Sequence, residues 1–358
     1  MIKTYTKFLV TGFVKSFLNV FFVMMSLVFI LNILKEIEFF SDKDVNSIYP
    51  IYLSLMSSPS VIFEMFPFIF LIGTQFFFIK LFTNDEINIF KYSGLKNIQI
   101  IKILSLVSFL IGIFAITIFY SFSSNLQHHY IQIKNQYSED KSYLAVINKN
   151  GLWIKDIVNE QTSIINSSKV NKNFLTNTFI TTFDKEFNLV ESINSDKIDI
   201  SKFEWLIYDA TVFKNNISQK FDLIKFKSNF NQKRIESLFS NLSSLSLLKL
   251  IDLRKNYELL NYSTVDVDIQ IFKIATYPIF LVIMTILSSI IMFNTKKNNS
   301  KIIKIIIGLF FSVVIYYISN LFNVMGSTEK IPLMVSIWTP IIFLTLVNLI
   351  MLVNINEK

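Results

Sequence analysis

The run FLVTGFVKSFLNVFFVMMSLVFILNIL, residues 8–34, is almost entirely apolar and contains one charged side chain, Lys15. A helix of about 20 mostly apolar residues crosses the hydrocarbon core of a bilayer, and this run is long enough to do so. Five further segments have the same character: 59–82, 103–122, 269–293, 303–324 and 333–353. The sequence therefore predicts a polytopic α-helical membrane protein with six transmembrane helices.

The composition agrees with a membrane protein. Of 358 residues, 52% are hydrophobic and 17% are charged, whereas soluble proteins carry about 25% charged residues. This difference excludes an ordinary soluble enzyme. The chain has no cysteine, which excludes disulfides, thiolate metal sites and cysteine nucleophiles. Its basic residues are nearly all lysine, and we attribute them, with the abundant Asn and Ile, to an AT-rich genome. We therefore expect no nucleic-acid partner.

Lysines in the short loops predict the orientation, because positively charged loops remain in the cytoplasm. One side of the predicted membrane carries many lysines against only two acidic residues, Asp85 and Glu86. These lysines are Lys3, Lys7, Lys15, Lys80, Lys91, Lys96, Lys102, Lys296, Lys297, Lys301 and Lys304. We expect both termini to be cytoplasmic and the segment 123–265 to lie outside. In a double-membrane bacterium, this places the protein in the inner membrane and that segment in the periplasm.

The segment 123–265 is hydrophilic and contains short runs rich in Ile, Phe, Thr and Val. Such runs have strand composition, and we predict strands at 143–148, 152–158, 162–170, 174–183, 187–200 and 205–214. Many short strands at this spacing indicate an antiparallel sandwich or jelly roll. We therefore predict a β-jelly-roll domain between helices three and four, ending in an amphipathic helix at 244–260. The predicted domains are 1–122, 123–265 and 266–358.

The sequence lacks the motifs of common catalytic sites. It has no GxxxxGK[ST] loop, GxSxG or HExxH, so we expect a non-catalytic subunit without a cofactor or a metal. The adjacent His128 and His129 have the character of solvated residues just outside span three. Glu64 and Lys273 lie near the outer ends of their spans, close enough for their side chains to reach the interface.

The cytoplasmic stretch at about 84–97 is the best candidate for contact with another protein. Asn84 is suited to cap a short helix with Asp85 and Glu86 in its first turn, and Gly94 is suited to end it. A short helix between two spans can dock into a groove on a partner. The alternative is a helix that lies in the lipid interface, and the composition does not choose between them.

Lys35 closes span one on the predicted periplasmic side. A lysine at this depth can contact an anionic lipid headgroup as it leaves the outer leaflet. Ordinary snorkelling of the side chain to the interface is the alternative, and the local sequence leaves both open.

Several short motifs occur in a distinctive order along this topology. They are Pro59 and Pro67, Asp85-Glu86, Ser93-Gly94, Asn150-Gly151-Leu152-Trp153-Ile154-Lys155-Asp156, and Gly326, Pro332 and Trp338. Together with the six spans and the inserted β domain, they resemble the LptF/LptG permeases of the lipopolysaccharide exporter over essentially the whole chain. The run GLWIKD at 151–156 is more similar to the LptG subunit than to LptF.

The resemblance implies a permease subunit of an ABC transporter that extracts lipopolysaccharide from the inner membrane. In that family, an F-like and a G-like permease sit on an LptB ATPase dimer and pass the lipid to LptC and LptA. By position, Asp85, Glu86, Phe90 and Gly94 belong to the helix that couples the permease to the ATPase.

The resemblance also implies residues for lipid contact. Lys35 matches a basic residue that contacts the lipid, and spans one and five line the cavity, which makes Asn320 and Asn323 candidates. The family has a cluster of basic residues after span one. This chain has fewer basic residues there, and the next lysine is Lys43. The rival hypothesis is a membrane-anchored periplasmic sensor or envelope assembly factor, which needs neither an ATPase nor a cavity for acyl chains.

Overall fold

The structure is a computed structural model of the chain. It describes residues 4–41, 43, 45–46, 48–137, 152–171, 173–214, 217–232, 235, 241–259, 263–294 and 301–356. These residues form two compact units. The membrane unit comprises Met1–Tyr130, Ser243–Leu247 and Val265–Lys358, and the β unit comprises Ile131–Leu242 and Leu248–Thr264.

Among the described residues, six helices are long and apolar enough to cross a membrane, and together with the β sheet between the third and the fourth they confirm the predicted fold class. The first two are α1 (Thr4–Phe40) and α2 (Ile48–Thr83), and a short helix α3 (Glu86–Tyr92) follows them. The third span consists of α4 (Asn97–Phe114), a π-helical turn (Ala115–Phe119) and α5 (Tyr120–Gln136). After the β strands come α6 (Leu247–Leu259), α7 (Val265–Asn294), α8 (Lys301–Ser327) and α9 (Leu333–Asn356).

Two helix bounds differ from the sequence prediction. α2 begins at Ile48 rather than at 59, and Pro59 lies inside it, because transmembrane helices tolerate an internal proline. The third span continues past residue 122 to Gln136, since the polar stretch that follows contains neither Gly nor Pro to end the helix. The predicted helix at 244–260 is present as α6.

The helices α2 and α7 form the centre of the membrane unit. In each of them, 67% of the most apolar 18-residue stretch is buried, whereas in each of the other four spans 22–33% of that stretch is buried. Gly112 lets α4 approach α7, because a Cβ atom at this position would lie 2.8 Å from the Cα of Pro278. The hydroxyls of Ser108 and Thr285 are 2.8 Å apart in the same contact. Small and hydroxylated residues are the usual means of helix association in lipid.

The β unit contains one antiparallel sheet among the described residues. Its strands follow each other in the order β1 to β6, so every connection between neighbours is a hairpin and the sheet is a meander without Greek-key crossovers. The strands are β1 (Leu152–Val158), β2 (Gln161–Asn171), β3 (Phe174–Phe183), β4 (Leu189–Asp199), β5 (Glu204–Lys214) and β6 (Ile217–Lys227).

Five of the six predicted strands correspond to β1–β5, and the predicted strand at 143–148 lies outside the described residues. The sequence prediction missed β6. Nearly every residue of β6 is exposed, so its sequence lacks the alternation of buried and exposed residues on which strand prediction depends. Its three lysines are typical of an edge strand protected against pairing with other chains.

One face of the sheet is covered by the apolar core of the β unit. Trp205 is fully buried there, and its indole N–H donates a 2.7 Å hydrogen bond to the carbonyl of Phe230. The segment that follows β6 therefore folds back over the sheet. The buried core consists of Leu152, Ile154, Ile165, Leu175, Ile180, Ile193, Ile198, Ile200, Trp205, Ile207, Ala210, Phe230 and Ile235.

Asp156 ties β1 to this returning segment. Its side chain is 1% exposed. One carboxylate oxygen accepts hydrogen bonds from the Ser228 hydroxyl at 2.7 Å and the Asn229 backbone N–H at 3.0 Å, and the other accepts from the Asn229 side-chain amide at 2.9 Å. A buried carboxylate is tolerated when donors satisfy it in this way. The aspartate of the GLWIKD run therefore has a structural role.

Candidate functional site

The membrane unit contains a cavity of about 400 Å³, a volume within the range of ligand pockets. Five of the six spans contribute to its wall, all except α1. Aromatic and aliphatic side chains form most of the wall: Phe63, Pro67, Phe68, Ile274, Phe280, Met284, Ile315, Tyr316, Ile337, Pro340 and Ile341. The rest of the wall carries hydroxyl, amide and charged side chains, which can orient a ligand that has both apolar and polar parts.

Two opposite charges face this cavity. Glu64 projects from α2 and Lys273 from α7, and each interacts electrostatically with the other. Both side chains retain a large accessible surface. Within the described part of the chain, neither the carboxylate nor the ammonium forms an ion pair or a hydrogen bond with another residue. The sequence indicates only that both side chains can reach the lipid interface. It does not reveal that they line the same cavity.

Two tyrosines of the cavity wall are held in place by hydrogen bonds. The Tyr277 hydroxyl donates to the carbonyl of Phe63, and the two rings stack with centroids 4.5 Å apart. The Tyr120 hydroxyl donates to the carbonyl of Leu245 at 2.9 Å and also contacts the Gln270 side chain. The charged pair also lines this cavity, together with Asn320 and Asn323 from α8 and several serine hydroxyls.

The structure separates the residues that the resemblance implies for lipid contact. Asn320 and Asn323 line the cavity, but Lys35 does not. Lys35 is exposed on α1, a helix that packs along α2 through Phe13 and Phe17. Span five thus contributes to the wall of this cavity and span one does not, and the implied lining of a lipid path by both spans stays a prediction.

The end of α1 around Lys35 is fixed by buried polar contacts. The Asn32 amide donates to the hydroxyls of Ser57 and Ser58 at 3.1 and 3.2 Å. The carboxylate of Glu36, which is 3% exposed, accepts a 2.8 Å hydrogen bond from the Tyr130 hydroxyl. Lys35 is thus exposed on a helix whose nearby residues Asn32 and Glu36 are anchored to α2 and α5.

The short helix α3 lies within the stretch 84–97, for which the sequence predicts a helix. It spans Glu86–Tyr92, and the residue before it is Asp85 with φ 58°, a left-handed conformation. The predicted cap at Asn84 is wrong, because its amide donates to the Glu86 carboxylate at 3.1 Å instead of capping the backbone. Asp85 accepts a 2.8 Å hydrogen bond from the Asn88 side chain.

Gly94 ends α3, as the sequence predicts. Its φ of 80° is in the left-handed region, where glycine has no steric penalty. The Leu95 N–H bonds to the carbonyl of Phe90 at 2.9 Å, and the Gly94 N–H bonds to the carbonyl of Lys91 at 3.0 Å. This pair of bonds is a Schellman motif, which turns the chain directly into α4.

The apolar side chains of α3 divide between those that pack on α1 and those that are exposed. Phe90 lies against Phe8 of α1, with ring centroids 5.9 Å apart. The large apolar side chains that protrude are Ile89 and Tyr92, which are 61% and 90% exposed. A helix this short has no long hydrophobic repeat, so its sequence does not indicate which face packs against the protein.

His128 and His129 lie on α5, with ring centroids 6.2 Å apart. Among the described residues, no group of three or more His, Asp or Glu side chains is arranged to hold a metal ion.

A comparison with known families gives one match. The family model described as "Lipopolysaccharide export system permease LptF/LptG" matches residues 7–354. No curated protein matches the chain. The matched range includes the six spans, the β unit, α3 and the cavity.

Proposed function

Because the chain belongs to the LptF/LptG family of lipopolysaccharide export permeases, we propose that it is the membrane subunit of an ATP-driven lipopolysaccharide exporter. It extracts the lipid from the outer leaflet of the inner membrane and passes it through the β unit to LptC-like and LptA-like proteins. The observation that carries this proposal is the family match over nearly the whole chain. The GLWIKD run at 151–156 supports a G-type subunit that pairs with an F-type permease.

In the proposed orientation, both termini and α3 are cytoplasmic and the β unit is periplasmic. The lysine distribution in the short loops supports it. Tyr92 and Lys91 of α3 are then accessible to a cytoplasmic partner, and Lys35 lies at the periplasmic end of α1. We propose domain limits near those of the sequence prediction.

We propose that α3 couples this chain to an LptB-like ATPase dimer. Its exposed Ile89 and Tyr92 fit an apolar groove, and Glu86 supplies a carboxylate at the start of the helix. One oxygen of that carboxylate accepts a bond from Asn84. The other oxygen is buried and has no hydrogen-bond partner among the described residues. We propose that a basic residue of the ATPase approaches the half-exposed Glu86 side chain. Asp85 and Gly94 act by setting the start and the end of the helix, and Phe90 acts by anchoring it on α1.

We propose two separate places of lipid contact. Lys35 contacts a phosphate of lipopolysaccharide at the exposed side of α1, where the partner permease completes the path. Asn320 and Asn323 contact lipid through the cavity of the membrane unit. Their separation in the structure supports different roles for the two places.

The experiment is mass spectrometry of the complex purified through a tag on this chain. We expect an LptB-like ATPase, a second permease of the same family and retained lipopolysaccharide in one assembly. A chain that purifies without an ATPase and without lipopolysaccharide, but with periplasmic ligands or proteins, would instead identify a sensor or an assembly factor. The chain alone is expected to hydrolyse no ATP, because its sequence has no phosphate-binding loop.

A further inference from the structure

The cavity of the membrane unit is electrically balanced. Glu64 and Lys273 are the two charged side chains among the described residues that line it, so the formal charge of its wall is zero. They interact with each other, yet neither is neutralised by direct contact within the described chain. Ionisable residues that face a cavity within transmembrane helices mark binding sites by default, because keeping a charge there is expensive.

We propose that this cavity binds the headgroup of a zwitterionic aminophospholipid. Lys273 contacts the phosphate and Glu64 contacts the ammonium, and each contact is a charge-assisted hydrogen bond. The side-chain amides of Asn320 and Asn323 donate to the ester oxygens of the glycerol backbone. This site goes beyond the proposed export of lipopolysaccharide and depends on neither Lys35 nor α3.

The depth of the two charges suits such a ligand. On the predicted topology, Glu64 and Lys273 lie within the first turns of their apolar segments on the periplasmic side. This is the level at which outer-leaflet headgroups meet the acyl chains. The apolar wall, which includes Phe68, Phe280 and Ile341, continues from this level and accommodates the first part of an acyl chain.

Size and charge favour an aminophospholipid over the lipid A anchor of lipopolysaccharide. A cavity of about 400 Å³ holds a headgroup and a short length of chain, and the multiply acylated lipid A anchor is too large for it. Lipid A is also polyanionic. The attraction of Lys273 for its phosphates is offset by the repulsion from Glu64, whereas a zwitterion gains from both residues.

The test uses the full chain in its native complex, reconstituted in nanodiscs with equal amounts of dioleoyl-phosphatidylethanolamine and dioleoyl-phosphatidylglycerol. Native mass spectrometry after transfer to detergent measures the lipid retained. We expect phosphatidylethanolamine to be retained at least tenfold over phosphatidylglycerol. Equal retention of the two lipids, or an excess of phosphatidylglycerol, would overturn the inference.

Two variants test the assigned contacts. Lys273→Met should lower phosphatidylethanolamine retention at least tenfold, because the phosphate loses its partner. Glu64→Gln should abolish the preference and raise phosphatidylglycerol retention, since only the lysine remains charged. That gain would also demonstrate that the variant is folded. Lys330→Met removes an exposed lysine outside the cavity and should leave both retentions within about twofold of wild type.

A lipopolysaccharide arm separates this inference from the proposed function. Purified lipopolysaccharide is added to the same nanodiscs, and we expect its retention to fall in Lys35→Met and to persist in Lys273→Met. If lipopolysaccharide instead displaces phosphatidylethanolamine and Lys273→Met abolishes its retention, the cavity is a lipopolysaccharide site. The aminophospholipid inference would then fail while the export function stands.

Discussion

Replacing Asp156 with alanine is expected to destabilise the β unit severely. The substitution removes an acceptor of three hydrogen bonds, one from the buried Ser228 and two from the half-buried Asn229. Alanine supplies no acceptor in its place, so these three bonds are lost. Because these bonds hold the segment after β6 over the sheet, we expect the loss to open β1 and that segment together.

The magnitude follows from the number and type of the lost bonds. A hydrogen bond to a charged group contributes about 1.5–3 kcal/mol, and a buried donor without a partner costs about 1–3 kcal/mol. The Ser228 hydroxyl can rotate, and the Asn229 side-chain amide keeps a 2.8 Å hydrogen bond to the carbonyl of Ile157. Both effects limit the total loss of stability. We therefore expect a loss of about 3–5 kcal/mol for Asp156→Ala. For Asp156→Asn, which keeps one oxygen acceptor, we expect about 1–2 kcal/mol.

Hydrogen-exchange mass spectrometry of the full chain measures this loss locally. Exchange from β1 should accelerate by about 10²–10⁴ in Asp156→Ala, since each 1.4 kcal/mol is a factor of ten. Asp222→Ala is the matched control, because Asp222 is exposed on β6. Exchange from β1 in this variant should stay within about threefold of wild type. If β1 in Asp156→Ala exchanges as slowly as in this control, the carboxylate does not tie the segment to the sheet.

Three other predictions concern coupling, topology and pH. Glu86→Lys should leave the chain inserted but abolish co-purification of the ATPase. Losing a desolvated ion pair costs about 2–5 kcal/mol, and the lysine also opposes the helix dipole. Full retention of ATPase binding and of transport would exclude a coupling role. Because the chain has no cysteine, single introduced cysteines test its orientation. Ser201→Cys should react with an impermeant maleimide in intact spheroplasts, whereas Ser93→Cys should react only after lysis. The reverse pattern would overturn the topology. Hydrogen bonds from the Asn188 backbone and side chain hold the pKa of Asp184 below its usual value. Their stabilisation of the β3–β4 turn should therefore be present above about pH 4 and lost as pH falls through the lower folded pKa. Hydrogen exchange, corrected for the pH dependence of the intrinsic exchange rate, should detect this loss of turn stability in wild type and not in Asp184→Asn.

The sequence predicts the fold well because its main signals are local. The six spans and β1–β5 each depend on the apolar content or alternation of one continuous run, as in the 27-residue segment that begins at Phe8. Gly94 is likewise a local signal, since a left-handed residue is needed where α3 turns into α4. By contrast, β6 was missed because most of its residues are exposed and only Ile224 and Phe226 pack against the core.

The candidate site depends on contacts that sequence spacing does not reveal. Glu64 and Lys273 are far apart in the chain, and they converge only because α2 and α7 pack together with a particular rotation about their axes. The same limit applies to α3, where packing turns Phe90 inward and leaves Ile89 and Tyr92 exposed. The pattern of residues identifies the elements, whereas their packing decides which side chains meet.

The central claim is that this chain moves lipopolysaccharide from the membrane into its β unit at the expense of ATP. The most direct measurement places benzoylphenylalanine at Phe226, a partly buried residue beside the β core, in proteoliposomes that contain the complete complex and lipopolysaccharide. On irradiation, we predict a crosslink to lipopolysaccharide that accumulates only with hydrolysable ATP and disappears in Glu86→Lys. A crosslink that forms equally without ATP, or no crosslink in a complex that hydrolyses ATP, would contradict the account.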